Sequence, residues 1–162
     1  MSLDTVILDI MAGLQTLNRS LSGVIAPAPA LYPTAIDTVN GQAVALTFPA
    51  DGESWQKGAG YSQGTRTFRV LVFLDPVAQE SIPIHVVDGS QLLQKFVNLF
   101  ILSTNTPLIN PDPTALYQAT IQSGPTGPHI TDNGPGPFLR FGGRDWYGFE
   151  LAVSVRWQGP QV

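Results

Sequence analysis

The chain offers little for chemistry: two histidines, no cysteine, and serines and carboxylates that form no obvious set. His85 precedes Val86 and Val87 beside a helical stretch and reads as a polar residue at an element boundary. His129 and Asp132 stand three apart and could both touch a metal ion. A structural or catalytic zinc needs about three or four protein ligands, and no further histidine or carboxylate lies near them. Serine nucleophiles sit on strained turns such as glycine-x-serine-x-glycine, which neither Gly89-Ser90-Gln91 nor Ser123-Gly124 matches. Gly58-Ala59-Gly60 looks like a phosphate-cradling loop, but a strand rather than a helix follows it. In Gly134-Pro135-Gly136-Pro137 the prolines remove the N–H donors that an anion nest requires. Asp51 and Glu53 fall in a polar stretch and read as solvated carboxylates. The expectation is a protein that is not an enzyme and holds neither metal nor cofactor.

What stands out instead is aromatic and charged. Trp55 and Tyr61 lie with Asp51, Glu53 and Lys57 in one polar stretch. Trp146 lies beside Arg144 and Asp145 before the last apolar run. Tryptophan, tyrosine and arginine dominate the energetics of protein interfaces. These eight residues are therefore candidates for contact with a subunit or partner. The other reading, rings that roof the chain's own sheet, stands beside it.

The elements that would position them follow from periodicity. Leu3, Val6, Ile7, Ile10, Met11, Leu14, Leu17 and Leu21 recur at helical spacing, with Asp4, Asp9, Gln15, Asn18 and Arg19 off that stripe. Gly23 and the prolines at 27, 29 and 33 stop the helix, leaving an extended connector over 24–33. Residues 43–48 alternate as a strand with Val44, Leu46 and Phe48 on one face. Residues 49–64 read as a long protruding loop. Residues 65–74 form a stronger strand, with Phe68, Val70, Val72 and Leu74 opposite Thr67, Arg69, Leu71 and Phe73. A second helix begins at an Asp88 cap, with Gln91 in the capping-box position. Its stripe is Leu92, Leu93, Phe96, Val97, Phe100 and Ile101; Leu99 and Leu102 widen it, so the last turns are expected to be buried on most sides. Residues 104–137 hold half of the chain's 14 prolines, around a possible strand at 116–122. A loop of that length inside a compact domain is normally functional, ordered by a partner or disordered. Short and long strands at 138–141 and 149–157 close the chain.

This order predicts a single α+β domain: an antiparallel sheet of four to five strands with both helices packed on one face, and long loops. Charged residues make up 12% of the sequence, against about 25% in typical domains. An assembly interface depleted of charge accounts for this, and so does a Gln/Ser/Thr-rich surface. The net charge is −4 and the eight basic residues form no run, which argues against nucleic-acid binding. No apolar run approaches the roughly 20 residues needed to cross a bilayer, and the acidic N-terminal stretch is unlike a signal peptide. A soluble protein made in the cytoplasm is expected.

In size and element order the chain resembles the tail-terminator, or tail-completion, proteins of long-tailed bacteriophages. The matching pieces are DTVILDIMAGLQTL, ALYPTAI, TFRVLVFLD, GSQLLQKFVNLFI and YGFELAVSVRW, which together span most of the sequence. The stretch 104–137 is longer than the family's usual link. The resemblance implies a virion protein of the tail or neck: a homo-hexameric ring that caps the tail tube, stops its polymerisation and joins it to the head-tail connector or stopper protein. Genome DNA would pass through the lumen without specific binding, which suits an acidic chain. Another neck protein, such as a head-completion or stopper subunit, and a capsid decoration protein are the alternatives.

Overall fold

The computed structural model describes residues 3–27, 43–58, 61–76, 82–104, 108, 118–122, 138–141 and 143–160. Among the described residues two helices, α1 (Leu3–Arg19) and α2 (Ile82–Leu102), accompany six strands. These are β1 (Val24–Ile25), β2 (Ala43–Gly58), β3 (Tyr61–Pro76), β4 (Gln118–Ile121), β5 (Phe138–Phe141) and β6 (Arg144–Pro160). The sheet order is β1-β2-β3-β6-β4, with β5 on the same side of β6 as β4 but at its other end. All pairings are antiparallel except β1 with β2. The fold is α+β, as expected, but the sheet is mixed and has six strands. Two-residue β1 is too short to leave an alternating signature, which is why the sequence showed only a connector there.

Both helices cover one face. Ile7, Ile10, Met11 and Leu14 of α1 and Phe96 and Phe100 of α2 are buried in one cluster with Phe68, Val70 and Val72 of β3 and Phe149, Leu151, Val153, Val155 and Trp157 of β6. Phe96 meets Phe149 edge-on at 5.7 Å, the arrangement ring quadrupoles favour. On β2 the helix-facing residues are the small ones, Ala43 and Ala45. Their size lets α1 approach the strand. The larger Val44 and Leu46 turn to the opposite face, where they join Leu71, Phe73 and Trp146, with Ile25, Phe48, Leu139 and Phe141 packed around them.

This second cluster exists because the sheet curls. Phe48 on β2 and Phe141 on β5 are separated by β3 and β6 and offset along β6, Phe48 falling on the row of Ala152 and Phe141 on that of Arg144, which is about 30 Å on a flat sheet. Their ring centroids are 6.3 Å apart. Two register shifts, between Pro49 and Glu53 on β2 and between Phe73 and Asp75 on β3, supply the bends. Gly143, at φ 75°, turns β5 back into β6; a side chain there would be strained.

Farther along the same outer face the sheet is polar. Arg69 forms a two-pronged ion pair with Glu150, its Nη2 at 3.0 Å from Oε2. The Arg69 side chain is 47% exposed, so water screens the pair. Arg69→Ala is expected to cost about 1 kcal/mol or less, seen as a urea midpoint almost unchanged and insensitive to added salt.

Two helix expectations need correction. Helix α2 begins at Ile82, so Asp88 lies inside it rather than capping it. Pro83 is the start signal that was passed over: in the first turn a missing N–H and a fixed φ cost nothing. The last turn of α2 is also not buried on most sides, since Ile101 is 53% and Leu102 81% exposed. They follow Phe100 by about 100° and 200° around the helix, which turns them away from the sheet. The irregular stretch after α2 is anchored where it is described: Thr104 bridges to Ile121, and the Leu108 N–H donates to the Ala119 carbonyl at 2.8 Å.

Candidate functional site

The polar stretch 49–64 is not a loop. Its first part continues β2, and β3 starts at Tyr61, so the two strands form one long hairpin. Past the register shift Glu53 stands opposite Arg66, Trp55 opposite Gly64, Lys57 opposite Ser62 and Gly58 opposite Tyr61. Strand β6 follows β3 along this whole length, with Gly64 opposite Trp157 and Tyr61 opposite Pro160. The result is an arm of β2, β3 and β6, which β4 joins as a fourth strand along Val155–Gln158, so that among the described residues only its last rows are three strands wide. Pro49, Asp51 and Gly52 are turn-forming types, and they mark the irregularity in β2 rather than its end. Glu53, Trp55, Lys57 and Tyr61 therefore sit on the arm in strand register, and Asp51 lies in the register shift before them.

Arg144, Asp145 and Trp146 lie elsewhere, at the start of β6 against β5. Asp145 is exposed and stands opposite Arg140, with 3.6 Å between Oδ1 and Nη1. Trp146 is taken up by the chain itself: it is 6% exposed, lies edge-on to Phe73 at 5.9 Å, and its Nε1 points to the Phe141 carbonyl at 3.4 Å. Of the two readings for this ring, intramolecular packing is the one observed. The eight candidates thus divide into an arm group and a group at the β5–β6 hairpin, whose tryptophan is not available to a partner.

At the root of the arm is Gly64. A Cβ on it would lie 2.7 Å from the Trp157 ring, which therefore occupies the space a side chain would need. Residues 43–49 of β2 present their free edge in a different way. The Ala43 N–H donates to the Gly23 carbonyl, and Gln15 Nε2 donates to the Ala45 carbonyl at 2.9 Å. Odd-numbered residues here turn their backbone polar groups away from β3. Pro49, next but one after Thr47, has no N–H to offer. Strand β1, a glutamine side chain and a proline thus guard the inner half of this edge.

Two features escaped the sequence reading. Gln15 and Asn18, placed off the apolar stripe, are 1% and 0% exposed, and they form a buried set with Thr47. Gln15 Nε2 donates to the carbonyls of Pro27 and Ala45, while its Oε1 accepts from Asn18 Nδ2 at 2.8 Å and Thr47 Oγ1 at 3.0 Å. This set ties α1 to β2 and to the segment after β1. The other is the exposure of Ile101 and Leu102, which extend the exposed polar stripe of α2 formed by Gln91, Gln94, Lys95 and Asn98.

Among the described residues, no group of three or more His, Asp or Glu is placed to hold a metal ion. His129 lies outside the described residues. No described helix is long and apolar enough to cross a membrane. No family model matches the chain, and no curated protein is significantly similar to it.

Proposed function

We propose that the chain is a structural subunit of a phage tail: it closes with other copies into a ring that caps the tail tube, stops its growth and joins it to the head connector. The observation that supports this most is the order of elements. An N-terminal helix, an extended connector (here including the short β1), a two-strand hairpin, a second helix and closing strands follow one another in the order expected of the tail terminators the sequence resembles. The outer end of the β2–β3 hairpin, with the unpaired outer edge of β2 among the described residues, adds a means of reaching a neighbour. A ring needs one patch to meet a different patch on the next copy until the circle closes. The arm on one side and the exposed α2 face on the other are suitable unlike surfaces. Genome DNA traverses the lumen unhindered because the chain's charge repels phosphate.

The test is functional. Added to a polymerising tail-tube protein, the chain should arrest growth, giving shorter tubes with a ring at one end in negative stain. Tubes of unchanged length without terminal rings would sink the proposal. Within it, Trp55→Ala should reduce ring formation about tenfold or more while leaving the circular dichroism spectrum unchanged. Full ring formation by this variant would remove Trp55 from the contact.

A further inference from the structure

We propose that the outer half of β2, Glu53–Gly58, is a strand-addition site for a second copy of this chain, paired antiparallel about a two-fold axis at Trp55. The reasoning begins with backbone parity. Ala43 and Ala45 turn their polar groups outward, away from β3, and Ala45 pairs with Val72. Even-numbered β3 residues thus mark the β2 positions whose N–H and C=O face out, because hydrogen-bonded and non-hydrogen-bonded pairs alternate. The other side of the sheet agrees: Ser154, opposite odd-numbered Thr67, turns its carbonyl outward to accept from the Gln122 N–H. Beyond the register shift, the partners Arg66, Gly64 and Ser62 identify Glu53, Trp55 and Lys57 as the outward-facing positions.

The guards described for residues 43–49 do not extend here. Among the described residues, β2 has no partner strand on its outer side past Val44. An edge of this kind is a template for another extended chain.

The sequence itself selects a second copy as that chain. Laid antiparallel on itself about Trp55, the strand places Glu53 opposite Lys57 of the second copy, Trp55 opposite Trp55, and Lys57 opposite Glu53. All three are outward-facing positions, so they form hydrogen-bonded pairs, and both charged rungs join opposite charges. Moving the register by two residues either way, the smallest slip that keeps this parity, loses both Glu53–Lys57 rungs. A lone lysine on an edge strand normally repels strand addition; here the opposing glutamate neutralises it. The contact is isologous, pairing copies two at a time, and is separate from the head-to-tail contact of a ring.

Charge reversal tests this in the full chain by sedimentation equilibrium. Wild type should show a concentration-dependent doubling of its particle mass, whether that particle is the single chain or the ring, and the doubling should weaken with added salt. Glu53→Lys alone and Lys57→Glu alone should each raise the dimer dissociation constant about tenfold or more, since each sets like charges opposite one another on both rungs. The double variant Glu53→Lys/Lys57→Glu should restore pairing. Lys57→Gln, which is milder for folding, should give an intermediate loss, with circular dichroism confirming the fold throughout. Single variants that dimerise like wild type, a double variant that fails to recover, or a wild type without dimers would overturn the proposal. Six-fold rings that persist in the single variants and still pair with one another as in wild type would overturn the edge pairing while leaving the ring reading intact.

Discussion

Gly148→Ala is expected to destabilise the fold by at least about 3 kcal/mol, a large share of the roughly 5–15 kcal/mol that holds a domain together. Gly148 stands opposite Phe73, one pair before the point where β3 carries the extra residue Leu74. The bend there pushes the two backbones together: a Cβ on Gly148 would lie 2.0 Å from the Val72 carbonyl oxygen and 3.1 Å from Leu139 Cδ1. The leucine could rotate. The carbonyl could not, because it belongs to the central β3–β6 ladder. Either the ladder opens or the curl relaxes, and relaxation would part Phe48 from Phe141 across the outer face. Urea denaturation of the variant should show a midpoint far below wild type, or no folded baseline. Near-wild-type stability would mean that the curl is not enforced at this position.

The second large effect is expected at Gln15. Gln15→Ala should cost about 2–3 kcal/mol, because the carbonyls of Pro27 and Ala45, the Thr47 hydroxyl and the Asn18 amide all lose a partner in a buried site. Gln15→Met separates lost hydrogen bonding from lost volume. It keeps the length of the side chain and fills the space, yet supplies no donor to the two carbonyls. If polar satisfaction is what matters, Met should be nearly as costly as Ala in chemical denaturation. A Met variant as stable as wild type would show that the site needs only volume. Asn18 Oδ1 is already buried without a partner, so the set has no spare hydrogen bonds to redistribute.

The same residues show what could be read from the sequence and what could not. The α1 stripe and the alternation of β3 and β6 were legible because burial on one face of a regular element imposes a period on the residues. Gln15 and Asn18 follow Met11 and Leu14 by four residues each, so they continue the buried stripe. Their polar side chains concealed this, and only the tertiary partners Thr47, Ala45 and Pro27 make their burial tolerable. The outer half of β2 was hidden for a different reason. Asp51, Gly52, Glu53, Ser54 and Lys57 have weak strand preferences, and the segment extends because β3, itself held by β6, supplies the pairing. Trp146 was visible as an important ring, but its destination depended on a curl set by two register shifts that no local pattern reveals. Of the candidate surface, the arm residues were correctly grouped in sequence and wrongly described as a loop.

The most direct test of the ring is the mass of the purified protein by multi-angle light scattering, with negative-stain imaging in the presence of tail-tube protein. A tail-terminator subunit should give a particle of six times the 17.4 kDa chain, with six-fold symmetry and seated at tube ends. A closed particle of another symmetry, such as a trimer, or tubes whose ends stay bare while the protein remains free in solution, would contradict it.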